Sequence, residues 1–114
     1  MQIQRFGTTR RYSDSVVHNG TVYLVEVPAS TEGDIVAQTR SLLASIERLL
    51  AEAGTEKQKL LMVTVYLADM ADYDGMNAVW DAWVPEGHAP TRACVQARLA
   101  NPGWRVEMAL TAAL

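Results

Sequence analysis

Pro90-Thr91-Arg92-Ala93-Cys94-Val95-Gln96-Ala97, followed a short loop later by Arg105-Val106-Glu107-Met108, reads as a pair of strands. Arg92, Cys94 and Gln96 alternate with Ala93, Val95 and Ala97, while Arg105, Glu107 and Thr111 alternate with Val106, Met108, Leu110 and Ala112. Period-two alternation gives each strand one apolar face and one mixed polar face. If the strands lie side by side, Arg92 and Glu107 share the polar face, a permanent cation beside a carboxylate. On residue types alone, such a pair is more often a cross-strand ion pair worth a fraction of a kcal/mol than a catalytic dyad.

Upstream, strands and helices alternate without linkers, repeats or low-complexity tracts. Ile3 to Phe6 reads as a first strand. Ser15 to His18 and Thr21 to Val27 form a hairpin turned at Asn19-Gly20 and ended by Pro28. From Asp34 to Ala53, apolar or small residues recur at Ile35, Thr39, Leu42, Leu43, Ile46, Leu49, Leu50 and Ala53, one buried helical stripe. Thr31 and Asp34 supply capping candidates and Gly54 a stop. Leu61, Val63, Val65 and Leu67 alternate with Met62, Thr64 and Tyr66 as a central strand. After a loop from Asp69 to Asp74, a second helix buries Tyr73, Met76, Trp80, Trp83 and Val84 and stops at Pro85.

One domain over residues 1–114 is expected, because 114 residues with 49% hydrophobic content fill one core. A net charge of −3 and a pI near 5.3 provide no basic field for phosphates, which argues against nucleic acid or an anionic membrane as partner. The single cysteine excludes an internal disulfide. The polar start Met1-Gln2-Ile3-Gln4-Arg5 does not read as a signal peptide, and no apolar run approaches spanning length, so a cytoplasmic location is the default expectation.

Two helices can cover only one face of a five- or six-stranded sheet. The other face is then expected to carry Arg92, Cys94, Gln96, Glu107, Met62, Thr64 and Tyr66. A neighbouring subunit covering that mixed surface would make a cleft between chains.

Pro90-x-Arg92-x-Cys94-Val95, with Glu107 of Val106-Glu107-Met108 fifteen residues after the arginine, resembles the signature of the RidA/YjgF family, the reactive-intermediate imine deaminases also labelled L-PSP endoribonucleases. The likeness extends through Tyr12-Ser13-Asp14, Gly20-Thr21-Val22-Tyr23-Leu24, Ala53-Gly54, Val63-Thr64-Val65-Tyr66-Leu67 and Met76-Asn77-Ala78-Val79-Trp80. Asn77 to Val84 and Gly87-His88-Ala89-Pro90 are most similar to its YoaB, or RutC-like, branch. The resemblance implies an α+β, chorismate-mutase-like fold, a homotrimer, and a site in each subunit interface.

It also implies hydrolysis of 2-imino acids, or their enamine tautomers, to 2-keto acids and ammonium. Such a site needs a grip on the substrate carboxylate and a positioned water. Arg92, a permanently charged planar fork, suits the first. Glu107 suits the second, orienting a water and taking its proton. A protonated imine is already electrophilic, so neither a metal nor an organic cofactor is expected, and His18, His88 and Cys94 do not make a metal-ligand set. Tyr12 and Asn77 match family positions that line the site, Asn77 from across the interface. Their ordinary readings are edge packing and a solvated helix surface. Cys94 reads as a small buried residue whose backbone flanks Arg92, Trp80 and Trp83 read as core, and His88 as structural.

Where family members carry Ser-Gly at the end of the hairpin strand, this chain has Val25-Glu26, and a second acidic position in the last strand is Ala109. Glu26 can narrow the pocket, repel carboxylates, or pair with Arg92. Three functions therefore stand: an imine deaminase, a non-catalytic trimer binding a small keto acid, and the endoribonuclease or translation inhibitor of the older label. The last lacks both an acid-base histidine pair and a basic surface.

Overall fold

The computed structural model describes residues 2–114. Six strands, β1 (Gln4–Phe6), β2 (Ser15–His18), β3 (Thr21–Glu26), β4 (Leu60–Leu67), β5 (Thr91–Gln96) and β6 (Val106–Ala113), form one sheet in the order β1-β2-β3-β6-β4-β5. Helices α1 (Ile35–Ala53) and α2 (Tyr73–Trp83) join β3 to β4 and β4 to β5. Only β4 and β5 run parallel, as a crossover through α2 requires. This is the expected α+β class, a mixed six-stranded sheet with two helices on one face.

Local chemistry explains the elements. Asn19 (φ 52°) and Gly20 (φ 77°) supply the two positive φ angles of the tight β2–β3 turn. Asp34 caps α1 by accepting the Ala37 amide at 2.9 Å. Gly54 closes that helix in the left-handed region, and Thr55 donates back to the Leu50 carbonyl at 2.9 Å. The buried stripe of α1 also takes in Gln38, which the apolar spacing leaves out. Its side chain donates to the Thr31 and Gly103 carbonyls and accepts the Arg105 amide at 2.8 Å, tying α1 to the loop before β6. The cost of burying the amide is offset because both its ends are satisfied.

The core lies between the helices and the sheet, where Leu42, Ile46, Leu50, Met76 and Trp80 meet Val22, Leu24, Val63, Val65, Leu67, Met108 and Leu110. Two expectations fail in detail. Leu60 is buried while Leu61 is 49% exposed, because Leu60 pairs with Ala112 and Met62 with its neighbour Thr111, leaving Leu61 as a bulge. On α2 the buried set is Met76, Val79 and Trp80; Trp83 and Val84 are partly buried, and Tyr73 is exposed at the margin of the stripe. No helix is long and apolar enough to cross a membrane among the described residues.

The register of β5 overturns a further expectation. Arg92, Cys94 and Gln96 pair with Val63, Val65 and Leu67, which face the helices. Glu107 pairs with Tyr66, between the core positions Val65 and Leu67, and so faces the open side. Alternation within each strand was read correctly, but which face was buried was not. β5 is an edge strand whose helix-side positions lie at the rim of the core, where polar side chains can reach out to α2.

Candidate active site

Arg92 sits near the start of edge strand β5 with its side chain reaching α2. One guanidinium nitrogen, Nη1, donates to Asn77 Oδ1 at 2.8 Å and lies 3.8 Å from Met76 Sδ; Nη2 lies 3.5 Å from the Tyr73 hydroxyl. The guanidinium carbon is 5.6 Å from the Trp80 ring centre and 6.0 Å from that of Tyr73. Every one of these groups is neutral, and among the described residues no carboxylate stands within ion-pair distance of Arg92. Cation–π attraction and one short hydrogen bond orient the fork without neutralising it, so its charge is left for an anion.

Tyr73, Asn77 and Trp80 follow each other at four- and three-residue steps, one face of α2. That spacing was present in the sequence, but the aromatic pair reads there as core. Asn77 was expected near the site of a neighbouring subunit; it holds Arg92 of its own chain.

Cys94 lies on the same side as Arg92, partly buried against the core. Burial pushes its thiol pKa up and the nearby Arg92 charge opposes this only in part, which disfavours the thiolate that a nucleophile needs. At the end of β5, Gln96 Oε1 accepts the Met70 amide at 2.7 Å, fixing the turn that leads into α2.

Glu107 belongs to a separate place. It lines a depression of about 360 Å³ on the open face together with Val25, Tyr66, Ala109 and the loop residues Ala97, Arg98, Leu99 and Ala100. The walls are mostly small and apolar, and the polar side chains are Glu107, Arg98 and Tyr66. Arg98, exposed in the loop after β5, drew no notice in the sequence because a single arginine in a loop carries no pattern.

Two further site candidates fall elsewhere. Tyr12, 62% exposed, lies in the loop joining β1 and β2, toward the opposite edge of the sheet from Arg92. Glu26 ends β3 on the helix side, alternating with Val25 on the open side. Its carboxylate accepts the Val27 amide at 3.1 Å. Burial raises its pKa, the Val27 hydrogen bond opposes this, and the charges of Asp14 and Arg48 act in opposite directions. Its charged neighbours are thus Asp14 and Arg48, and of the three possibilities open to it, pairing with Arg92 is not made within the chain. Val25, 50% exposed, is the member of the Val25-Glu26 pair that stands beside Glu107.

The open face itself is apolar, with Tyr23, Val25, Met62 and Val95 all substantially exposed. Arg92 and Glu107 thus lie on opposite sides of one sheet. They can act on one small molecule only if the open face of one chain meets the β5 edge of another.

The endoribonuclease L-PSP family model matches residues 2–114. The RutC family protein YoaB of Escherichia coli K12 is 44% identical over 114 residues, covering 100% of both chains. A YjgF family member from Neisseria meningitidis, solved as a crystal structure, has a TM-score of 0.96 at 51% identity, covering 99% of this chain and 95% of that one. The 3-aminoacrylate deaminase RutC of Acinetobacter baylyi is 38% identical over 80 residues, 70% of this chain and 63% of that protein.

Proposed function

This chain belongs to the endoribonuclease L-PSP (RidA/YjgF) family, in its YoaB/RutC-like branch, and we propose that it is a homotrimeric deaminase hydrolysing reactive 2-imino acids and their enamine tautomers to 2-keto acids and ammonium. The observation that carries this reading is the Arg92 guanidinium, held by Asn77, Tyr73 and Trp80 with no carboxylate against it among the described residues. A fork held so is a carboxylate receptor prepared in advance. The deaminase name of a relative supplies the reaction class.

In the proposed reaction, Arg92 of one chain binds the substrate carboxylate in bidentate fashion. Glu107 of the neighbouring chain accepts a proton from a water as its oxygen adds to the carbon of the protonated imine. The product of that addition is a carbinolamine. Glu107 then returns the proton to the nitrogen, the carbon–nitrogen bond breaks, and ammonia leaves as the hydroxyl gives its proton to Glu107 and the carbonyl forms; ammonia takes up that proton to become ammonium and frees the carboxylate. The apolar open faces of Tyr23, Val25, Met62 and Val95, buried against one another in the trimer, would exclude bulk water and strengthen both polar contacts.

Release of ammonium and keto acid from freshly generated 2-iminopropanoate, 2-iminobutanoate and aminoacrylate tests the proposal. Release above the spontaneous rate is expected. A second reading, a trimer that binds keto acids without turnover, is favoured by Val25 beside Glu107, which fills space where the family carries a smaller residue. Binding of 2-oxobutanoate with no acceleration on any imine would select it.

A further inference from the structure

The loop after β5 returns over the end of the sheet: the Ala97 amide donates to the Leu67 carbonyl at 2.9 Å, and the Ala68 amide to the Arg105 carbonyl at 3.0 Å. That turn carries Arg98 from the line of β5 to the wall of the Glu107 depression. Among the described residues, ion pairs join Lys57 to Glu47 and Arg105 to Asp72, and Arg98 is in neither. The depression therefore has a carboxylate, an uncommitted guanidinium, the Tyr66 side chain, and otherwise walls of Val25, Leu99 and alanines that offer no hydrogen bonds from their side chains.

We propose that Arg98 is a specificity-determining residue that receives a second anionic group, so that the preferred substrates are 2-imino acids with an acidic side chain. The inference rests on the deaminase reading, in which Arg92 already takes the carboxylate next to the reacting carbon. A second acid on the substrate then needs a second cation, and Arg98 is the one that shares a cavity wall with Glu107. A guanidinium flanked by apolar side chains binds a carboxylate more strongly than one surrounded by water, because the competing solvent is displaced when the ligand seats. The cavity of about 360 Å³ is at the lower end of small-ligand sites, which suits a short dicarboxylate rather than a long aliphatic chain.

Calorimetry on the intact assembly with two unreactive keto acids tests this: 2-oxoglutarate, with a side-chain carboxylate, and 2-oxobutanoate, without one. The wild-type chain is expected to bind 2-oxoglutarate about tenfold more tightly, the scale of one charge-assisted contact. Arg98→Ala should bring the ratio of the two affinities to about one, and Arg98→Lys should keep part of it. Added salt should narrow the ratio in the wild type and in Arg98→Lys but not in Arg98→Ala. Arg98 is exposed in a loop, so these variants should fold, and circular dichroism checks that they do. Equal wild-type affinities would overturn the assignment while leaving the deaminase reading standing. So would an Arg98→Ala variant that weakens both ligands alike, which would make Arg98 a support for Glu107. Failure of the wild type to bind either acid would sink both readings together.

Discussion

Arg92 and Glu107 occupy opposite faces of the same sheet, Arg92 in register with Val63 beneath the helices and Glu107 in register with Tyr66 on the open side. A sheet is a barrier that side chains do not cross, so neither an ion pair nor a dyad forms between them within one chain. Their roles, if joined, are joined by assembly, and each can be removed separately.

Arg92→Ala should weaken binding of substrates and unreactive 2-keto acids alike, by about 10- to 100-fold, since a charge-assisted bidentate contact is lost from ground and transition states together. Arg92→Lys should recover only part, as an ammonium cannot reproduce the fork. Calorimetry with 2-oxobutanoate measures both. Unchanged affinity in Arg92→Ala would remove the carboxylate receptor.

Glu107→Gln should behave differently. It keeps the shape and a hydrogen bond to water but removes the base, so turnover should fall by about 10²-fold or more while keto-acid binding survives. Single-turnover hydrolysis of 2-iminobutanoate beside keto-acid calorimetry separates these effects. Turnover equal to wild type would end the general-base assignment.

Asn77→Ala tests whether the fork must be held. Asn77 Oδ1 lies 2.8 Å from Arg92 Nη1, and its loss leaves the aromatic rings to orient the cation alone. A several-fold rise in KM is expected with little change in kcat, and Asn77→Asp should be worse than Asn77→Ala, because a carboxylate there would neutralise the guanidinium. Substitution by aspartate that left KM unaltered would show that the Arg92 charge does not bind substrate.

Glu26 gives a stability test away from the site. Burial raises its folded-state pKa, so folding favours its protonated form. Its favourable contribution is present at acid pH and is lost as pH rises through the raised value, where the half-buried carboxylate must ionise. Glu26→Gln should therefore melt a few degrees above wild type at neutral pH, with the difference shrinking as the pH falls into the ordinary carboxylate range. Kinetics should be unchanged, since Glu26 lies on the opposite face from Glu107 and is separated by β6 and β4 from the β5 strand that carries Arg92. A difference in Tm independent of pH would locate the effect in packing rather than charge.

Much of the fold was legible because its signals are local. The Asn19-Gly20 turn, the α1 stripe with Asp34 and Gly54 at its ends, and the stop of α2 before Pro85 each follow from a few adjacent residues. The Leu61 bulge was not legible, since alternation cannot show an extra residue that only the partner strand reveals. The face of β5 failed for a related reason. Arg92, Cys94 and Gln96 look like the wet side of a strand, but at an edge beside α2 the helix side is also where a long polar side chain finds Asn77 and Tyr73. Tyr73 and Trp80 read as core because helical spacing does not distinguish an aromatic that packs from one that also faces a cation. Val25 and Glu26 were taken together, although neighbours on a strand point in opposite directions.

The central claim, that each site joins Arg92 of one chain to Glu107 of another, is tested most directly by mixing two inactive variants. Arg92→Ala and Glu107→Gln chains, each tagged differently, would be unfolded together in equal amounts, refolded, and assayed for imine hydrolysis beside each variant refolded alone. In randomly assembled trimers, an interface works only when the Glu107→Gln chain supplies Arg92 and the Arg92→Ala chain supplies Glu107. That is half times half, so about a quarter of the refolded wild-type activity is predicted. A mixture that forms trimers containing both tags yet remains as inactive as its parents would contradict the account, because it would place both residues' function within a single chain.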